Sequence, residues 1–425
     1  MKKTVISILI ILLVLSLVAC AQPVEAGVIK SNKHRITSPN VSPADEALLV
    51  EGNSAFAFDL YQALREKDGN LFYSPYSISL ALAMTYAGAR SETEQQMADT
   101  LNFLLSQEDS LHPAFNKLDI ELGKRGQGAR GKDDGGFRLN IVNAIWGQEG
   151  YTFLPAFLDV LSENYGAGLR VLDFIQETEK SRTTINDWVS DETEGRIVNL
   201  IPKGTIDPST RLVLTNAIYF NAAWQHPFND SMTEDGPFYL LDGGQVTVPM
   251  MKQAESFDYS DGEGYQAIEL RYDGGELSMV ILLPDAGQFE AFEENLSNRK
   301  FSDIIDELQY TRVALTMPLF EFDSEFGLKN TLAAMGMPIA FSGNADFSGM
   351  TGNRGLAISD VIHKAFVAVD EEGTEAAAAT AVAMEESEPP PPQVEVTVDR
   401  PFIFLIRDID TGAILFIGRV MNPSV

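Results

Sequence analysis

The side chains best suited to chemistry are few in this chain. Four histidines, His34, His112, His226 and His363, and a single cysteine, Cys20, are spread over 425 residues. Zinc hydrolysis calls for two histidines one helical turn apart beside a glutamate, and no H-E-x-x-H occurs. A structural zinc site needs several thiolate or imidazole ligands, which one cysteine does not supply. No G-x-S-x-G elbow presents a serine nucleophile. Gly126-Gln127-Gly128-Ala129-Arg130-Gly131 has the letters of a dinucleotide loop. No clear strand leads into it and no helix follows, so the phosphate cradle is missing. It reads as a surface insertion whose Lys124, Arg125, Arg130 and Lys132 could hold an anion or simply be solvated. A triad assembled from distant positions would leave no local signal. The expectation is a protein that is not an enzyme, with no metal and no cofactor.

Another kind of chemistry is conformational, and residues 370–400 carry it. Asp370-Glu371-Glu372-Gly373-Thr374-Glu375 leads into Ala376-Ala377-Ala378-Ala379-Thr380-Ala381, then a polar proline-rich segment, then Pro401-Phe402-Ile403-Phe404-Leu405-Ile406. Alternate residues of a strand face opposite sides of a sheet. One face would carry Thr374, Ala376, Ala378, Thr380, Val382 and Met384. The other would carry Glu375, Ala377, Ala379, Ala381, Ala383 and Glu385, with its charges only at the two ends. Such a segment can enter a sheet without burying a charge on its core side. Alanine is also the best helix former, so Glu375 to Met384 alone could be a short surface helix. The flanks favour a movable loop. Gly373 is a permissive pivot, and Pro389 to Pro392 favour an extended spacer that cannot join a central ladder.

On these residues the chain resembles the serpin family. Glu371 through Ala379 is similar, almost letter for letter, to the hinge of inhibitory serpins. Val398-Asp399-Arg400-Pro401-Phe402-Ile403-Phe404 resembles the family's C-terminal signature. Asn70-Leu71-Phe72-Tyr73-Ser74-Pro75-Tyr76-Ser77-Ile78-Ser79 and Thr215-Asn216-Ala217-Ile218-Tyr219-Phe220, with Trp224, match two further blocks. The likeness runs from about Asp45 to Pro423 in the family's order.

The resemblance implies an α+β fold with mixed sheets, one of them large and central, about eight or nine helices, and an exposed reactive-centre loop over about 371–398. It implies a suicide-substrate inhibitor of serine or cysteine proteases. The loop is cut and then inserted into the central sheet with the acyl-enzyme attached. The alternative is a non-inhibitory serpin acting as a binding or chaperone-like module. The hinge is Glu371, Gly373, Thr374, Glu375, Ala376, Ala377, Ala378 and Ala379. Counting the family's usual distance from Gly373 places the reactive bond at Ser387-Glu388, with Glu386, Glu385 and Met384 as alternatives. Ser74, Ser77, Asn216 and His363 match the polar "shutter" beneath the sheet, and Trp224 matches the "breach" where insertion starts. A buried histidine in an apolar strand needs hydrogen-bond partners, and those residues could supply them. One departure stands out: many inhibitory members pair the hinge glutamate with a lysine after a proline, and here Leu319 follows Pro318.

About 45% of the residues are apolar, enough for a sizeable core, and no long linker divides the chain after residue 45. The balance of 31 basic against 61 acidic residues argues against nucleic-acid binding, which needs a basic footprint. At the N-terminus Lys2 and Lys3 precede the run Val5 to Val18, broken only by Ser7 and Ser16. That is short for a membrane span and right for a secretory signal. Leu17-Val18-Ala19-Cys20 resembles a bacterial lipoprotein box, which would make Cys20 a lipidation site. The expected organisation is a signal peptide over 1–19, a flexible tether over 20–44 and one domain over 45–425. The protein would act as a monomer outside the cytoplasm, secreted or lipid-anchored at the cell surface or periplasm.

The elements that must position the hinge are legible in outline. Apolar spacing predicts helices over 44–66, 77–87, 154–165, 177–193 and 329–335. Ser91-Glu92-Thr93-Glu94 is a capping box opening another, to about Leu101. Strands are expected over 137–146, 211–220, 277–283, 313–322 and 356–369. The last pair, 402–407 and 413–420, flanks an Asp410-Thr411-Gly412 turn.

Overall fold

The computed structural model describes residues 26–129, 138–374 and 394–424. In chain order the strands are β1 (Gly27–Ile29), β2 (Leu71–Tyr73), β3 (Arg138–Gln148), β4 (Leu169–Leu172), β5 (Leu212–Ala223), β6 (Glu234–Tyr239), β7 (Gln245–Gly262) and β8 (Tyr265–Arg271). They continue as β9 (Leu277–Pro284), β10 (Gln309–Pro318), β11 (Phe320–Gly327), β12 (Asp360–Val369), β13 (Gly373–Thr374), β14 (Val394–Thr397), β15 (Phe402–Asp408) and β16 (Ile414–Val420). A seven-stranded sheet has the order β1-β4-β3-β5-β13-β12-β11. A nine-stranded sheet runs β14-β10-β7-β8-β9-β15-β16-β2, with β6 added beside β7.

Helix α1 (Pro43–Leu64) begins where the Ser42 side chain accepts from the Asp45 amide, with Pro43 in the first turn and Asp45 and Glu46 behind it. Proline costs nothing there because its missing donor would be unpaired anyway. Helix α2 (Pro75–Tyr86) repeats the device with Ser74 as cap, and each of its twelve residues is buried. It lies between the sheets, touching β3 and β5 on one side and β16 on the other. One large apolar cluster runs from Phe56 through Ile281 to Phe416, so both sheets share a core.

Three expectations are corrected here. Ten α-helices occur among the described residues rather than eight or nine. Phe289–Glu294 and Ser348–Thr351 are too short for a 3.6-residue period to show. The single strand expected over 313–322 is two strands in different sheets, β10 ending at Pro318 and β11 starting at Phe320. The switch falls at a residue with no amide to donate. The expected tether over 20–44 is docked along its described part. β1 pairs with β4 at the edge of the central sheet. The Arg35 guanidinium meets Asp119 at 2.6 Å and Asn116 at 2.8 Å. The Ile36 amide donates to the Glu163 carbonyl at 2.8 Å. Low apolar content hides this docking, because directed polar bonds hold the segment. Cys20 and the signal peptide lie outside the described residues.

Candidate functional site: the seam between β5 and β12

Strands β5 and β12 are parallel neighbours only over Val213–Ile218 and Asp360–Ala365. Beyond Ala365 they part, and β13 occupies the gap, antiparallel to both: Gly373 opposite Ala223, and Thr374 opposite Ala222 on one side and Val369 on the other. Gly373 and Thr374, the described end of the hinge, therefore already sit in the mouth of the sheet. Gly373 is required there, since a Cβ would lie 2.1 Å from the Ala222 carbonyl oxygen. Thr374 is 1% exposed.

Trp224 and Tyr272 hold this mouth. The Trp224 amide donates to the Glu372 carbonyl at 2.7 Å, and its indole donates to the Asp370 carbonyl at 3.0 Å. Tyr272 stacks on the Trp224 ring at 4.7 Å, and its hydroxyl lies 2.8 Å from the Thr374 hydroxyl. The Asp370 carboxylate accepts from the amides of Glu372 and Gly373 at 2.9 and 3.2 Å. Without a lysine at Leu319, the Glu371 carboxylate accepts from the Thr233 hydroxyl at 2.6 Å, and the Phe228 amide donates to the Glu371 carbonyl at 2.7 Å. Short-range hydrogen bonds replace the ion pair, so the departure leaves the hinge anchored.

At the closed end of the seam a polar cluster is buried. Asn143 in β3, Asn216 in β5 and His363 in β12 lie directly opposite one another across three strands. The Ser74 amide donates to His363 Nε2 at 3.2 Å. That leaves the proton on Nδ1, which donates to Asn216 Oδ1. The Asn216 amide donates in turn to Ser77 Oγ and to Asn143 Oδ1. Asn143 Nδ2 donates to the Ser77 carbonyl at 3.2 Å. Burial holds His363 down to a pKa of about 3, so the ring is neutral. Ser74, Ser77, Asn216 and His363 are thus brought together. Asn143 was missed, although a polar residue in the apolar strand 137–146 could have signalled it.

The other histidines stand apart. His34 is exposed. His112 Nδ1 lies 2.7 Å from the Tyr165 hydroxyl, and burial lowers its pKa to about 4. His226 lines a cavity of about 230 Å³ beside Trp224. Arg125 does not offer an anion site, because its guanidinium forks onto the buried Asp408 carboxylate at 2.6 and 3.1 Å. Arg130, Lys132 and the hinge and loop positions Glu375, Ala376, Ala377, Ala378, Ala379, Met384, Glu385, Glu386, Ser387 and Glu388 lie outside the described residues.

A partly occupied seam in a seven-stranded sheet, closed by a buried histidine–asparagine–serine cluster, is the architecture of the serpin fold. The chain belongs to the serpin family: the family model described as "Serpin (serine protease inhibitor)" matches residues 51–423. A leukocyte elastase inhibitor of Xenopus laevis is 41% identical over 87% of this chain and 97% of its own. Human Serpin B3 is 39% identical over 88% and 99%. Among solved structures, the thermophilic serpin tengpin in its native state gives a TM-score of 0.82 at 30% identity, covering 94% of this chain and all of that one. Uncleaved ovalbumin gives 0.78 at 27% identity, covering 88% and 100%.

Proposed function

We propose that the chain is a suicide-substrate inhibitor of serine proteases, and of cysteine proteases by the same route. The observation that carries the reading is the register of β13. Continue it antiparallel from Thr374 opposite Ala222 and Val369, and each further residue steps one position down both neighbours. Thr380 then falls opposite Asn216 and His363, and Met384 falls opposite Leu212, the first residue of β5. Residues directly opposite in a ladder share a face. The face of Thr374, Ala376, Ala378, Thr380, Val382 and Met384 would therefore look into the core, as Thr374 and His363 do. The other face would lie against the cluster that joins Val213, Ala217 and Ile362 to Ile185 and Val189 of the helix Thr178–Glu192. Alanines 377, 379, 381 and 383 are the side chains small enough to pass beneath that helix. Nothing charged lies between Glu375 and Glu385.

The chemical step is ordinary acylation. The protease nucleophile attacks the scissile carbonyl, the amide C–N bond breaks, the new amine leaves with the following residue, and an ester or thioester remains. A cut at Ser387-Glu388 leaves three residues beyond Met384, a reach of about 10 Å from the sheet's end. Cutting at Glu386 or Met384 shortens that reach. Insertion then carries the acylated residue to the far pole. A stabilisation near 10 kcal/mol would rival the whole stability of the captured protease and distort its active site. No observation at the hinge favours the alternative of a non-inhibitory binding module.

Thr374→Arg tests the reading by placing a long cation where the core-side face begins. The wild type is expected to form a protease complex that survives boiling in denaturant, and Thr374→Arg only a nicked chain with free, active protease. Equal trapping by both sinks the insertion model. Mass spectrometry of the released C-terminal fragment locates the bond. The basic and apolar leader supports a further proposal, export with a lipid on Cys20. Loss of membrane association in Cys20→Ser is the outcome expected, and unchanged fractionation refutes it.

A further inference from the structure

Tyr272 follows β8 and is 1% exposed. Its ring is fixed by the stack on Trp224, at 10° between planes, and by an edge contact with Phe220 at 5.1 Å. Its backbone amide donates to the Leu277 carbonyl at 2.9 Å. Burial pushes the phenol well above its usual range, so the hydroxyl stays protonated. That hydroxyl meets Thr374 Oγ1 at 2.8 Å, on the residue that precedes Glu375 and the alanine run. Beside the backbone pairing of Thr374 with Ala222 and Val369, the hydrogen bonds from Trp224, Phe228, Thr233 and Asp370 act on residues 370–373. The side chain of Thr374 is held by Tyr272.

We propose that the Tyr272 hydroxyl is a latch that keeps Thr374 docked in the uncut protein, so that insertion starts from a seeded strand and outruns release of the protease. The inference rests on the inhibitory reading and adds a positioning residue to it. Seeding matters because the first pairs of a new strand fix backbone freedom before later pairs compensate. With two ladder positions already made, the cut loop extends an existing strand instead of starting one. An undocked hinge must first find the gap, and during that search the acyl-enzyme hydrolyses. Tyr272 does not touch the protease or the scissile bond. Its action is on the branch point between trapping and turnover.

The experiment compares the wild type, Tyr272→Phe, Thr374→Val, the double variant and Thr374→Ser. Tyr272→Phe keeps the ring and its stacks and removes only the hydroxyl. Amide exchange over residues 370–374 of the uncut protein is expected to quicken about two- to tenfold in Tyr272→Phe, the range of one buried hydrogen bond. With pancreatic elastase and a glutamate-specific protease as probes, the moles of inhibitor consumed per mole of protease should rise several-fold. The rate of first attack should not fall. Thr374→Ser, which keeps the hydroxyl, should behave as the wild type. The double variant should lose no more than the worse single variant, as expected for one shared bond. Wild-type exchange and wild-type partition in Tyr272→Phe overturn the latch. If the wild type traps neither protease while hinge exchange still responds to Tyr272→Phe, the docked strand stands and the inhibitory reading falls.

Discussion

The two sheets make opposite use of similar strands. In the nine-stranded sheet β9, β15 and β16 pair along nearly their whole lengths, Leu277–Asp408 at one end and Leu282–Ile403 at the other. All eight residues of β9 are buried, and so are all seven of β16. Phe72 stacks between Phe404 and Phe416 at 5.7 and 5.0 Å. Among the described residues no gap opens between β9, β15 and β16. In the seven-stranded sheet β5 is just as apolar and as buried, yet it stops pairing with β12 after Ile218. Of its remaining edge, two hinge residues cover Ala222 and Ala223. On the proposed mechanism, the seam is where a further strand would add stability, and the second sheet is the frame against which it would open.

Nicking the loop between Met384 and Glu388 is the strongest way to break that comparison. If the seam closes around the freed strand, a gain of about 10 kcal/mol should raise the thermal midpoint by roughly 10–20 °C. An unchanged midpoint would remove that added stability altogether. Leu282→Ala in the frame should cost about 2–5 kcal/mol. Denaturant titration is expected to find the same loss in the uncut and nicked forms, since both contain the same second sheet. A loss confined to one form would show that the frame takes part.

The pH response sharpens the comparison further. His363, at the closed end of the seam, and His112 are held by burial at about 3 and 4, against an ordinary value of 6.5. The unfolded chain therefore takes up two protons that the folded protein refuses. Stability is complete above about pH 6.5 and falls as the pH drops toward those folded values, by up to about 1.4 kcal/mol per pH unit for each histidine. Urea midpoints between pH 7 and 4 should show that slope, and His363→Gln should remove about half of it. A flat profile would mean that the cluster opens and admits water. The smallest effect is expected at the docked N-terminal segment. Arg35→Ala should cost about 1 kcal/mol in thermal stability, because the Arg35–Asp119 pair is partly exposed.

Much of the site was readable from residue type and spacing. The capped helix after Ser74, the apolar strands holding Asn216 and His363, and the alternating small face after Gly373 are local patterns, and local patterns survive in a linear text. Asn143 showed locally only as a polar residue in an apolar strand, and its role comes from standing across the sheet from Asn216, a relation with no sequence spacing. Tyr272 escaped for the same reason, as an aromatic at the end of a strand looks like any other core residue. The docking of 26–42 was hidden by its polar composition.

By itself the sequence determined a pattern compatible with a strand: a glycine pivot, a face free of charge, alanines on the reverse, prolines beyond. Only the tertiary structure decided where that strand would start. The Ala222 carbonyl excludes any side chain at 373, and Thr374 is registered between Ala222 and Val369, the start from which the proposed insertion would bring Thr380 opposite Asn216 and His363. Strand register here depends on Ala222, more than a hundred residues away in the chain, as well as on nearby Val369, and alternation alone cannot choose such a partner.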